Sequence, residues 1–422
     1  MRMYKDCLVS MLLLVSLASI TLHGHDTYKP FAISKEDIAA VLASEVTVPV
    51  SAAVPLKPDI MFACADIKYK DGSLKVCELG DGIYMSFRTA QVTLNDHVQD
   101  AVSPYWGIFW HYLAQFNLPL WHVDDLGAHH AMAMNVFAKL GGKHVSSLKD
   151  LQADTLFQKL SKRQSKKITQ LNDYKGIIVY RAKQDNHRDN DTVKAFKRNF
   201  PDFLWVNLTA RDYVKRKDNT YKLFADAKLD DFIPRFNIYP TTYSSSLVQQ
   251  INHDFPNSNR LIIKPVYSSL AMGVNLIDKK DLDSFLKLIL KDYQTINPRE
   301  HRRLAFWRHH PKTFFVSEYV PSKTIYKDDT PRDPTMRVVF MMHHDQGTIH
   351  CTVIAGFWKI PVYALDDANR TLTDKHITIA HSGAYYSGIL ADKKDWAEIK
   401  GALEAMLPKL YQTMLEQNTK LP

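Results

Sequence analysis

The strongest pattern along the chain is a change of period. "DIKYKDGSLKVCELGDG", residues 66 to 82, alternates apolar and polar positions on both sides of Asp71-Gly72. Period two around an Asp-Gly pair predicts a β-hairpin. "SPYWGIFWHYLAQFNLPLWHV" reads as a buried helix running into a strand, and residues 128 to 160 read as helical with a break at Gly141-Gly142. "GIIVYR" (176 to 181), the helical "DTVKAFKRNF" and then "DFLWVNL" give strand, helix, strand, the spacing of an α/β unit with a parallel sheet. From 211 the texture changes. A helix-like run ends at Ile233-Pro234, and "LIIKPVYSSLAMGVNLI" (261 to 277) reads as strand, small-residue loop, strand. "DLDSFLKLILKDY" reads as an amphipathic helix with Asp281 near its cap. "KTFFVSEYVPSKTIY" is a strand that stops at Pro321. "TMRVVFMMHHDQGTIHCTVIAGFWKIP" predicts a second hairpin turning near Asp345-Gln346-Gly347, "ITIAHSGAYYSGI" closes a sheet, and 394 to 416 is a terminal helix.

The first hairpin raises a question of chemistry. Asp66 and Glu78 stand near its two far ends, on strands otherwise rich in Ile, Tyr, Leu, Val and Cys. Side chains alternate faces along a strand, so the two acids share a face only if the loop holds an odd number of residues. A three-residue loop Lys70-Asp71-Gly72 satisfies that, whereas a two-residue Asp-Gly loop puts them on opposite faces. Two carboxylates on one buried face repel unless a cation or a proton lies between them. Magnesium is the ion that such oxygens suit. The same pattern also fits a solvated hairpin carrying surface acids.

Composition bounds the rest. The chain has 422 residues, 45% hydrophobic and 23% charged, which calls for two or three subdomains rather than one small core. A net charge of +9 suits an acidic ligand. The excess is spread out, densest at "KLSKRQSKK" (159 to 167), with no Arg-rich repeat, zinc finger or aromatic RNA-binding motif, so nucleic acid is not an expected partner. "MRMYKDC" followed by "LVSMLLLVSLASITL" matches a secretory signal over residues 1 to 24 and is short for a membrane span. The expectation is export to the periplasm or exterior, with an uncleaved membrane anchor as the alternative. Of four cysteines, Cys7 lies in that segment. A register that puts Asp66 and Glu78 on one face separates Cys64 from Cys77, so free thiols are expected.

Two further segments carry chemistry. Lys264 ends an apolar strand and precedes a loop that closes on Gly273. A strand-borne lysine can place one cation on phosphates, and Ser268, Ser269 and Gly273 can offer backbone N–H groups to the same oxygens. Some fifty residues on, an apolar strand runs into Glu318-Tyr319-Val320 and then proline. Such a linker can read the polar edge of an adenine. "HVDDLGAHH" gathers His122, Asp124, Asp125, His129 and His130, donors that also fit a transition metal.

Taken together, these pieces from about Asn219 to Gly388 resemble the ATP-grasp superfamily. The resemblance implies an α/β fold of α+β character, with ATP and Mg2+ as cofactors. It assigns Lys222 as the first phosphate lysine, Lys264 as the second, Ser268 to Gly273 as the phosphate loop and Glu318, Tyr319 and Val320 as the adenine hinge. It also points to Arg337 in "DPTMRVV" and Lys359 in "AGFWKIP" as the catalytic cations. The acidic strand pair that usually closes such a fold is missing after Lys359. The opening hairpin resembles it, with Asp66, Glu78 and Asp81 as metal ligands, which implies a circularly permuted arrangement like that of the eukaryotic glutathione synthetases. Glu78-Leu79-Gly80 lacks the usual Asn, and Asp81 has to stand in for it. The implied order is a signal (1–24), a connector (25–58), the metal-strand hairpin (59–99), an α/β substrate-side domain (100–215) and the nucleotide-binding region (216–422). The implied activity is ATP-dependent ligation of a carboxylate to an amine, peptide-type, through an acyl-phosphate. Two alternatives stand beside it: a degenerate ATP-grasp protein that binds nucleotide without catalysis, and an exported metal-dependent hydrolase built on His122 to His130.

Overall fold

The computed structural model describes residues 35–50, 56–82, 103–124, 136–181, 187–207, 209–210, 213–214, 216–267, 271–298, 301, 303–309, 311–376, 378 and 387–419. Its centre is an antiparallel sheet in the order Val46–Pro49, Thr348–Ile360, Thr335–Asp345, Asp59–Lys70, Ser73–Asp81, with Ser387–Leu390 also paired to Thr348–Ile360. The strand Asp59–Lys70 is buried on both faces, every residue but the last. Met61, Ala63, Ala65 and Ile67 face one core, while Ile60, Phe62 and Cys64 face another. Double burial explains why the strand's first half, Ile60 to Ala65, reads as continuous apolar sequence rather than as half-buried alternation.

Each face of the sheet has its own cover. Against the first lies the helix Lys393–Thr419, which presents Ile399, Leu403, Leu407, Leu410 and Tyr411 at three- and four-residue spacing. Against the second lies the helix Ser103–Ala114, where Phe109 stacks on Phe62 with ring centroids 4.3 Å apart. Beyond that helix, Lys143–Val145, Leu120–Asp124, Ile177–Arg181 and Leu204–Trp205 pair in that order, all parallel, as the strand-helix-strand spacing predicts.

A second antiparallel sheet runs Asn275–Asp278, Arg260–Pro265, Thr313–Glu318, Phe236–Pro240. One face buries Tyr239, Ile263, Phe314 and Val316 under the helices Ser245–Asp254 and Leu282–Leu286. Its other face turns Phe236 and Phe315 towards Tyr221 of the helix Lys217–Asp226, and through them into the core of the central sheet. The helix beginning at Leu282 is shorter than its pattern suggests. It passes into a π-helical turn at Lys287–Lys291, and Asp281 makes no capping bond with its side chain.

Both predicted hairpins form, and the first takes the two-residue loop. Lys70 pairs with Ser73, so the loop has two residues, Asp71 (φ 50°) and Gly72 (φ 79°), both in the left-handed region that a tight hairpin turn requires. The pairing then slips: Ile67 faces Val76, but Asp66 faces Glu78. Cys77 is the extra residue of a β-bulge. The bulge supplies the odd residue that a three-residue loop would have supplied, and the two acids share a face after all. Cys64, Cys77 and Cys351 are free thiols, as expected. Among the described residues no helix is long and apolar enough to cross a membrane. Residues 1–34 lie outside the described residues, and with them the predicted signal.

Leu407 is completely buried where the long helix meets the central sheet. Leu407→Ala is expected to destabilise the chain by about 2–5 kcal/mol, the usual cost of emptying such a site. Urea unfolding at pH 7 checks it.

Candidate functional site: a cationic cluster between two sheets

Along one face of the central sheet the chemistry changes abruptly. On Asp59–Lys70 that face runs Ile60, Phe62, Cys64 and then Asp66 and Lys68. On the neighbouring strand it runs Met341, Val339 and then Arg337. Register aligns the two changes, because Arg337 pairs with Asp66, and Lys359 arrives on the next strand opposite Thr335. The result is a buried triad. Arg337 donates from Nε and Nη2 to the two oxygens of Asp66, each at 2.7 Å, and Lys359 Nζ donates to Asp66 Oδ2 at 2.6 Å. Burial alone would raise the Asp66 carboxyl. The Arg337 and Lys359 charges and their hydrogen bonds outweigh it and hold the group far below the usual carboxylate range.

A second group of charges comes from the helix Lys217–Asp226 and the second sheet. Lys217, in the helix's first turn, is buried with its Nζ 3.7 Å from Glu78 Oε1. Lys264 is 7% exposed on Arg260–Pro265. Its ammonium lies over the rings of Phe315 (4.5 Å to the centroid) and Tyr221 (5.3 Å). No salt bridge among the described residues includes it. Burial, then repulsion from Lys217, lowers the Lys264 ammonium to about 8, against the pull of Glu78 and Cys77. The two groups adjoin, since Glu78 also acts on Lys359. Lys217, Lys264, Arg337 and Lys359 thus face two carboxylates, Asp66 and Glu78. A buried ammonium such as that of Lys264 is costly unless an anion completes it.

The hinge segment is anchored from two sides. Glu318 exchanges both of its polar groups with Arg235: its N–H donates to Arg235 O at 3.0 Å and its Oε1 accepts from Arg235 N at 2.9 Å. Tyr319 donates its N–H to Arg260 O and its hydroxyl to Asp333 Oδ2 at 2.9 Å. Asp333 also accepts from Lys68 Nζ (2.7 Å) and from Ser322 N (2.7 Å), so it ties the hinge to the charged strand. Among the described residues no hydrogen bond uses the Val320 amide, which leaves it open to a ligand edge. Gly273 (φ 73°) closes the loop after Lys264. A Cβ there would stand 2.6 Å from the Pro265 ring, so the position demands glycine.

Placement of the other predicted residues is mixed. Lys222 is exposed on the far side of its helix, and the lysine beside Lys264 is Lys217. Lys217 shares the buried stripe of Thr220, Tyr221 and Phe224, a helical spacing that could have singled it out. Asp333, before Pro334, carried no signal strong enough to single it out. Ser268 and Ser269 lie outside the described residues, as do Asp125, His129 and His130; His122 and Asp124 are buried in the parallel sheet. The three proposed metal acids are not drawn together. Asp66 is held by Arg337 and Lys359, Glu78 lies beside Lys217, and Asp81 Oδ1 accepts from Asn207 Nδ2 at 2.9 Å. In this arrangement they do not fit a magnesium ion. Among the described residues one group of His, Cys, Asp and Glu brings its donor atoms close enough for a metal: Glu45, His343 and His350.

Solved structures offer a comparison. A D-cycloserine synthetase matches over 69% of this chain and 82% of its own, at 12% identity and TM-score 0.38. The D-alanyl-alanine synthetase A of Vibrio cholerae matches over 70% and 81%, at 8% identity and TM-score 0.33. A glutathione-synthetase-like effector of Globodera pallida in its apo form matches over 77% of each chain, at 11% identity and TM-score 0.34. These are likenesses of fold at low identity. No protein-family profile matches it, and no curated protein matches it by sequence. All three TM-scores lie below 0.5, so the roles assigned to Lys217, Lys264, Arg337 and Asp66 stand on their own contacts.

Asp66 offers a direct test. Asp66→Asn leaves two buried cations without their carboxylate and is expected to cost about 3–5 kcal/mol at pH 7. Because the native pKa lies below the unfolded value near 4, the contribution is complete above about pH 4 and is lost as pH falls towards the native value. Urea unfolding at pH 7 and pH 3 should therefore show a smaller gap between wild type and Asp66→Asn at the lower pH.

Proposed function

We propose that the chain binds a nucleotide polyphosphate between its two antiparallel sheets and acts as an ATP-dependent carboxylate–amine ligase of the ATP-grasp type. The observation that carries this reading is the buried Lys264 ammonium, which is in no salt bridge among the described residues and is grouped with Lys217, Glu78 and the Asp66 triad. Among the described residues Lys264 has no salt-bridge partner, and the hinge at Glu318 to Val320 ends the strand beside it, since Phe315 pairs with Lys264. Lys217 and Lys264 would hold phosphate oxygens, and the open Val320 amide would meet the edge of the base. Bound ATP would supply the phosphoryl group that activates a substrate carboxylate as an acyl-phosphate, from which an amine displaces phosphate. The chain's own part is to neutralise phosphate charge and to hold it away from bulk water, which is where most of the catalysis of such transfers lies.

One observation favours a second reading, a binder without catalysis. Asp66 is committed to Arg337 and Lys359, and Asp81 to Asn207, so no acid set for the metal is assembled. ADP release in the presence of ATP, a carboxylate and an amine supports the ligase. Nucleotide binding with no ADP release over a broad substrate screen supports the binder.

Export through residues 1 to 24 belongs to the same proposal. Mass spectrometry of the exported protein should find a start near residue 25, and one beginning at Met1 would contradict cleavage.

Titration calorimetry with ADP tests the phosphate assignment. Lys264→Gln is expected to weaken binding at least tenfold, since it deletes a charge-assisted contact. In wild type, affinity should fall as pH rises through about 8, because the free protein loses the Lys264 proton there. An anion raises that pKa, so the proton is worth most in the complex. Lys264→Gln should lack this fall. Unchanged affinity in the variant removes Lys264 from the phosphate site.

A further inference from the structure

The same sheet face that carries the charged triad turns polar again at its opposite end. His343 is six residues from Arg337 along one strand, about 20 Å at the rise of a β-strand. It pairs directly with His350 across the ladder, and their rings stack with centroids 4.0 Å apart at an interplanar angle of 7°. Val46 pairs with Cys351, which brings Glu45, the residue before the edge strand Val46–Pro49, next to His350. His350 Nδ1 and Glu45 Oε1 are 2.7 Å apart.

We propose that Glu45, His343 and His350 form a site for one divalent transition-metal ion, of the zinc class, separate from the nucleotide site. Their donor atoms, one from each residue, all lie within 4.8 Å of one another. Ligands bound to a single tetrahedral zinc at about 2.0–2.2 Å stand about 3.3 Å apart, so the Glu45–His350 hydrogen bond opens slightly and the remaining separations close slightly. Two imidazole nitrogens and one carboxylate select zinc, cobalt or nickel over magnesium or calcium, which take all-oxygen shells.

The surroundings suit such an ion. Tyr112, on the helix covering this face, shares a short hydrogen bond with His343 Nδ1, and with Nδ1–H donating to the Tyr112 oxygen the Nε2 lone pair is left for the metal. The stacked rings have parallel lone pairs, so the more exposed His350 ring turns about its second side-chain torsion for the nitrogens to converge, a soft rotation for an imidazole. The side chains of Glu45 and His350 are each 24% exposed, which gives the ion a way in and leaves room for water in a fourth position. The three ligands come from the edge strand's start and two central strands, so the ion pins the edge strand to the sheet.

The test uses the full chain without an affinity tag, stripped with chelator and titrated with Co2+ and then Zn2+. One Co2+ per chain with a visible tetrahedral band, displaced by Zn2+, is expected. Binding should weaken at least tenfold in His350→Ala and in Glu45→Gln, and stay unchanged in His253→Gln, an exposed histidine elsewhere. Circular dichroism confirms that each variant is folded, and Glu45→Gln, at the sheet's edge, serves if His350→Ala does not fold. Failure to bind Co2+ at one equivalent, or equal affinity in wild type and both ligand variants, overturns the proposal.

Discussion

The Asp66 carboxylate, accepting two hydrogen bonds from Arg337 and one from Lys359, sits where three adjacent strands of the central sheet meet. Each of the three groups alone would be expensive to bury. The contact can form only in one register. A slip of one residue on either neighbouring strand would turn Arg337 or Lys359 to the opposite face, where Met336, Val338 and Trp358 now pack under the long C-terminal helix. Hydrophobic burial drives the sheet together and the triad selects its alignment. The cations that the register fixes then become the floor of the candidate site.

The second sheet brings the remaining charge. Phe315 and Phe236 stack with centroids 5.3 Å apart, and both rings meet Tyr221, whose hydroxyl donates to the bulged Cys77 backbone oxygen at 3.1 Å. This aromatic bridge joins the helix Lys217–Asp226 to both sheets and sets Lys217 and Lys264 close enough to repel. A lysine held over aromatic faces keeps part of its stabilisation without a carboxylate, which leaves it available to a phosphate. The bulge at Cys77 belongs to the same geometry, because it both turns Glu78 towards Lys217 and exposes the backbone oxygen that Tyr221 uses.

Legibility in the sequence follows range. Turns and strand pairs are local, so "KDGS" and "DQGT" announce both hairpins of the central sheet, and the apolar spacing of 394 to 416 announces the helix that covers it. The strand-end position of Lys264 and the break at Pro321 are local as well. Choice of lysine on the helix from Lys217 is not. Lys217 and Lys222 differ by which side of the helix meets the bridge of Tyr221 and Phe315, and that depends on a sheet about a hundred residues away. The shared face of Asp66 and Glu78 is readable as a possibility, but the bulge that realises it is not, since nothing in "KVCEL" marks Cys77 as the extra residue. Its partners are least readable of all: Arg337 and Lys359 lie 271 and 293 residues from Asp66.

Arg337 and Lys359 also make the two readings of function comparable in physical terms. A polyphosphate entering beside Lys264 brings several negative charges towards cations that Asp66 already holds. It would compete with one carboxylate for two donors. Under the ligase reading, phosphate would share Arg337 and Lys359 with Asp66 while Lys217 and Lys264 hold its other oxygens. Under the binder reading the triad holds, phosphate rests on Lys217 and Lys264 alone, and Asp66 stays committed. The bidentate Arg337 contact decides between them, because it is the strongest bond that the incoming anion would have to replace.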